Sequence, residues 1–120
     1  MVAVEYMTST SHTNLIVWQK SMNLVTQIYR ITNDLPKDEQ FGITSQMRRA
    51  AVSIPSNIAE GRRRGTTPEF KRFLSIAYGS GAELETQLEI CRRIGYLQNP
   101  EPECCELLSE VMRILNTLIT

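Results

Sequence analysis

The chain has one histidine, His12, and three cysteines, Cys91, Cys104 and Cys105, two of them adjacent. That shortage excludes several kinds of built site. A structural zinc centre needs about four Cys or His ligands at workable spacing. An odd cysteine count with an adjacent pair is no disulfide framework, so reduced thiols, buried or half-buried, are expected. Thr44, Ser45, Ser53 and Ser56 have no histidine base in the folded part, which leaves nucleophilic catalysis without support. Glu85 and Glu89 stand one helical turn apart. Helical di-metal sites add a Glu-x-x-His pattern, so these acids read as a solvated or ion-paired face. No metal, cofactor or catalytic residue is expected.

Long hydrophobic runs are also missing; the longest extend only a few residues, and nothing could span a bilayer. Met1 to Thr13 lacks a basic start, an apolar stretch and a small-residue cleavage site, so it does not read as a signal peptide. We expect a flexible arm over residues 1–13, a single domain over 14–120, a cytoplasmic location and no membrane partner. Aromatic residues make up only 7% of the chain. Phe70 and Phe73 fall on a core stripe, leaving Tyr78 as the nearest ring able to stack on an unpaired base. The run GRRRG at 61–65 lacks the lysine, spacing and preceding strand of a phosphate loop.

What the chain does have is helical periodicity, in 120 residues that are 42% hydrophobic. Residues 15–33 place Trp18, Met22, Val25, Ile28 or Tyr29, and Thr32 at three- and four-residue steps, with Asn14 as cap and Pro36 as terminator. A second helix is expected from Asp38 or Glu39 to about Arg62, its stripe being Ile43, Met47, Ala50, Ala51, Ile54, Ile58 and Gly61. Pro55 lies inside it without shifting the phase, which favours one kinked helix over two. Should the chain break there, Ser56 is the cap. Thr67-Pro68-Glu69 marks the next start, with Thr67 as cap and proline first in the helix. That helix keeps Phe70, Phe73, Leu74, Ala77, Gly81, Leu84, Leu88 and Cys91 on one side and closes at Gly95. Tyr96 to Pro102 reads as a turn. A fourth helix at about 103–119 carries Leu107, Leu108, Val111, Leu115, Leu118 and Ile119. Four helices with short links predict an all-α, antiparallel up-and-down four-helix bundle.

Net charge is zero, but it is segregated. Residues 41–82 carry seven basic side chains (Arg48, Arg49, Arg62, Arg63, Arg64, Lys71, Arg72) against Glu60 and Glu69, net +5. Residues 83–120 carry Arg92, Arg93 and Arg113 against seven glutamates, net −4. The seven cations are candidates for phosphate contact. Arg48, Arg49 and Arg62–Arg64 could instead pair with Glu83, Glu85 and Glu89 of the same or a neighbouring subunit. That reading is equally open for Arg48 and Arg49, whereas Arg62–Arg64 at a loop start favour solvent or polyanion contact. Opposite the core stripes lie Val52, Pro55 and Ala59 on helix two and Ile76, Ile90 and Ile94 on helix three. Two such off-core strips predict packing against another copy, with Glu85 and Glu89 beside them.

Two stretches are long and distinctive: ITSQMRRAAVSIPSNIAEGRRR at 43–64 and EFKRFLSIAYGSGAELETQLEICRRIGYL at 69–97. They resemble the four-helix-bundle family encoded by intervening sequences of bacterial 23S rRNA genes, often labelled ribosomal-protein-like. The likeness runs from about Asn14 to Leu118; Arg48, Arg49, Arg62 and Ala59-Glu60-Gly61 match the pattern, and Gly81 stands where a larger residue is usual. The resemblance implies a bundle commonly assembled as a homopentameric ring. Through kinship with accessory proteins of diversity-generating retroelements, it also implies nucleic acid (RNA ahead of DNA) and a reverse transcriptase among the partners. The alternative is an oligomeric scaffold or protein-interaction module with no nucleic-acid partner.

Overall fold

Four helices form in chain order: α1 (Ile16–Thr32), α2 (Ile43–Arg63), α3 (Thr67–Ile94) and α4 (Pro102–Ile119). This computed structural model describes residues 11–97 and 102–120. Residues 1–10 of the expected arm and 98–101 of the expected turn lie outside the described residues. Among the described residues there is no strand. α1 packs on α2 and α4, and α3 packs on α2 and α4, so a core with Leu24, Ile54, Leu84 and Leu115 at its centre is shared by all four.

α1 buries Val17, Ser21, Leu24, Ile28, Ile31 and Thr32. Ile28 and Thr32 of the expected stripe are buried, but the earlier part of the buried face lies one position ahead of it, at Val17, Ser21 and Leu24. Met22 is exposed, and Trp18 and Val25 flank the core. Ser21 conceals the true phase in the sequence: its hydroxyl donates to the Trp18 carbonyl at 2.9 Å, so a polar residue fits a buried position. Ahead of α1, His12–Asn14 forms a 3-10 turn capped by the Ser11 hydroxyl, and the residue flanking α1 is the extended Leu15, not Asn14. That turn packs on α2 and Ser11 is buried, so the end of the expected arm is ordered against the bundle.

α2 begins later than the sequence suggests. Lys37–Glu39 forms a separate 3-10 turn, and Gly42 flanks the helix with ψ −119°. The Tyr96 hydroxyl donates to Glu39 at 2.7 Å, tying this turn to the segment after α3. From Ile43 the helix continues through Pro55 to Arg63, although proline withholds the bond to the Ala51 carbonyl. Pro55 is buried within the chain, which corrects its placement on an outward strip. It stands four residues from Ala51 and three from Ile58, both fully buried, and residues at that spacing share a helix flank.

α3 is capped by Thr66, in extended conformation, whose hydroxyl accepts from the Glu69 amide. The cap is thus one residue earlier than expected, because a cap requires non-helical backbone and Thr67 is already helical. The helix ends at Gly95 with φ 90°, a left-handed closure that favours glycine. Gly81 packs under the Met112 thioether, and a Cβ there would displace that flexible side chain. Gly79 faces open space. On α4, Cys104 and Met112 join the core while Leu118 is exposed.

Candidate nucleic-acid interface

The close meeting of α2 and α3 is set by a glycine. A Cβ on Gly61 would lie 2.6 Å from Phe73 Cβ, so only glycine lets the two helices approach there. Further along, the Ser53 and Ser80 hydroxyls hydrogen-bond at 2.8 Å. The last turn of α2 and the first of α3 therefore share one corner, and five of the seven candidate cations gather on it: Arg62, Arg63, Arg64, Lys71 and Arg72.

Much of this charge is organised by aromatic rings. The Arg62 guanidinium lies 5.8 Å from the Phe70 centroid, and Arg64 and Arg72 lie 5.1 and 4.5 Å from that of Phe73. Arg64 also pairs with Glu60 at 3.4 Å and Arg72 with Glu69 at 2.7 Å. The Arg72 guanidinium's hydrogen bond holds the Glu69 carboxyl below its ordinary range. Both arginines remain about half exposed, and exposed pairs of this kind exchange at little cost. Arg63 and Lys71 are exposed. Burial and then the Arg63 charge lower the pKa of His12, whose ring meets Trp18 edge-on at 5.0 Å.

Arg48 and Arg49, at the other end of α2, part company. Arg48 turns inward onto the end of α1. Its Nε donates to Thr32 Oγ1 at 2.8 Å, its Nη2 donates to Asn33 Oδ1 at 3.1 Å, and the guanidinium covers the Tyr29 ring at 4.5 Å. It thereby sets positive charge at the negative end of the α1 dipole. Arg48 is thus engaged within the chain, which takes it out of the row of free phosphate contacts. Arg49 points outward and is exposed. Beside it the structure places a residue that the sequence reading passed over: Phe41, 91% exposed. Extending the α2 wheel back to Phe41 puts it about 180° from Ala50, a signal available in the sequence. Tyr78, the expected ring, is also exposed, on α3.

Pairing of the arginines with α3 glutamates, one of the two readings left open by the sequence, is not seen within the chain for Arg48, Arg49, Arg63 or Arg64 among the described contacts. Glu89 binds Arg92 and Arg93 of its own helix at 2.5 and 2.8 Å, and these bonds lower its pKa to about 2. Glu85 is exposed. The off-core strips do face outward at Val52 (39% exposed), Ile76 (43%) and Ile90 (40%), with Ala59 half-buried. Cys91 and Cys104 are buried and Cys105 is exposed, and none of the three is in a disulfide. Among the described residues no group of three His, Cys, Asp or Glu could hold a metal, and no helix is long and apolar enough to cross a membrane.

Residues 13–117 match the family model described as 23S rRNA-intervening sequence protein. The chain belongs to that family. A crystal structure of a protein of unknown function from the S23 ribosomal protein family of Bacteroides thetaiotaomicron superposes on it with a TM-score of 0.80. The two are 24% identical, over 88% of this chain and 99% of the other. At that identity the likeness speaks for the fold of 23S rRNA-intervening sequence proteins, not for an activity. No curated protein sequence matches the chain.

Proposed function

We propose that this 23S rRNA-intervening sequence protein is a non-catalytic, oligomeric bundle that binds nucleic acid, RNA ahead of DNA, through the α2–α3 corner. The observation that carries the reading is the convergence of Arg62, Arg63, Arg64, Lys71 and Arg72 on that corner against Glu60 and Glu69. Guanidiniums held by rings are pre-oriented, and phosphate oxygens accept from them in pairs. An up-and-down antiparallel order, with α2 bent at Pro55, fits the short α2–α3 link and the Gly61–Phe73 and Ser53–Ser80 pairings.

Assembly is supported by Val52, Ile76 and Ile90, exposed on two neighbouring helices. A homopentameric ring, and a reverse transcriptase as partner, rest on the family resemblance. In a ring each corner is repeated about the axis, which raises avidity without new contacts.

The test is binding of a structured RNA at low salt by wild type and by an Arg63→Glu/Lys71→Glu variant. Loss of at least about tenfold in the variant supports the reading; equal affinity, or no binding by either, ends it. Light scattering tests assembly: a strict monomer contradicts it. The second reading is a scaffold with no nucleic-acid partner, favoured by the same apolar strips and by the balance of charge. Because Arg48 is held inside the chain, its locating pair is Arg49 with Glu85. Charge reversal at either should weaken assembly, and reversal at both should restore it.

A further inference from the structure

We infer that the cleft between the end of α1 and the start of α2 seats one unpaired nucleotide, its base stacked on Phe41 and its phosphate held by Arg49. This rests on the nucleic-acid reading above and adds to it a ligand class, single strands.

The cleft has a volume of about 510 Å³ and is walled by Tyr29, Phe41, Thr44, Arg48, Arg49 and Val52, among others. Its size suits a single planar ring with its sugar and phosphate. Phe41 is the most exposed large apolar residue among the described ones. The neighbouring ring, Tyr29, already has the Arg48 guanidinium over it, so Phe41 offers the uncovered face. Arg48 is fixed by Thr32 and Asn33 and forms a rigid positive wall. Arg49 is exposed and can move onto a phosphate. The start of α2 is not the phosphate seat, because the Glu39 carboxylate lies against Gly42 at that end. A ring for the base and a mobile guanidinium for the phosphate are the parts single-strand sites use.

The probe is a short single-stranded RNA carrying one 2-aminopurine, whose fluorescence falls when it stacks, compared with a blunt RNA duplex. Wild type should quench the single strand. Phe41→Ala should abolish the quench and weaken single-strand binding by about 5- to 150-fold, the usual worth of one stacked base. Duplex binding should stay unchanged, and Phe41→Trp should restore the quench. Phe41 is so exposed that its removal leaves the fold intact, which circular dichroism checks. An undiminished quench in Phe41→Ala, with binding still lost in Arg63→Glu/Lys71→Glu, overturns the inference and leaves the broader reading standing. A change in the mass of Phe41→Ala by light scattering overturns it too, assigning the cleft to contact between copies. No binding of either RNA by wild type ends both.

Discussion

The two ends of α2 are built from the same materials, arginine and aromatic rings, and they use them in opposite ways. At the C-terminal end the rings are covered: Phe73 carries two guanidiniums and Phe70 a third. At the N-terminal end one ring, Tyr29, is covered by Arg48 while Phe41 is left bare beside Arg49. The first arrangement fixes positive charge and hides apolar surface. The second leaves both a cation and a ring for something else to complete. Composition is alike at the two ends; what differs is whether the chain itself supplies each ring's partner.

The comparison breaks most severely at Gly61. Gly61→Leu forces α2 away from Phe73 and should cost about 3 kcal/mol, measured by urea unfolding; an unchanged midpoint would mean that the corner is not closed by helix contact. Next comes the contrast inside the N-terminal end. Arg48→Ala strips the buried Thr32 hydroxyl and Asn33 of a charged donor and should cost about 1.5–3 kcal/mol, whereas Arg49→Ala should stay within about 0.5 kcal/mol. Equal losses would erase the distinction between a committed and a free arginine.

The smallest effects are electrostatic. Arg63→Ala should raise the His12 titration midpoint towards its ordinary 6.5, followed by NMR, but only in part because burial is the larger cause. Glu89 gives a pH signature. Its carboxyl is depressed to about 2 from 4.5, so its contribution is full above 4.5 and is lost as pH falls towards 2. Glu89→Gln should flatten the stability profile in that window, read by thermal melts; an unaltered profile would show that its arginine bonds add nothing.

Much of the fold was legible in the sequence because α3 is punctuated by strong local rules: Pro68 near its start, an apolar stripe, and Gly95 at its end. The first half of α1 was read one position out because Ser21 is polar and yet buried, satisfied by a carbonyl of its own helix, while Ile28 and Thr32 are buried as read. Pro55 was grouped with Val52 and Ala59 opposite the core stripe, while its spacing from Ala51 and Ile58 holds it inward. For the site, residue type alone sufficed to gather the arginines of the α2–α3 corner. It could not separate Arg48 from Arg49, since that depends on Thr32 and Asn33, sixteen and fifteen residues away in sequence. Phe41 was legible on the helical wheel, opposite Ala50, but what leaves its ring bare is the local fold: α2 begins only at Ile43, and Phe41 stands in the turn before it, 91% exposed.

The measurement that tests the account most directly is the salt dependence of single-strand binding in three proteins. For wild type, log K should fall linearly with log salt. Arg63→Ala/Lys71→Ala should flatten that slope by about 1.4, two phosphate contacts at ~0.7 each. Phe41→Ala should lower the whole line in parallel, since a stacked base releases no counterions. Lines that superimpose on wild type for both variants, or a flattened slope for Phe41→Ala, would contradict a charged end and a stacking end on one helix.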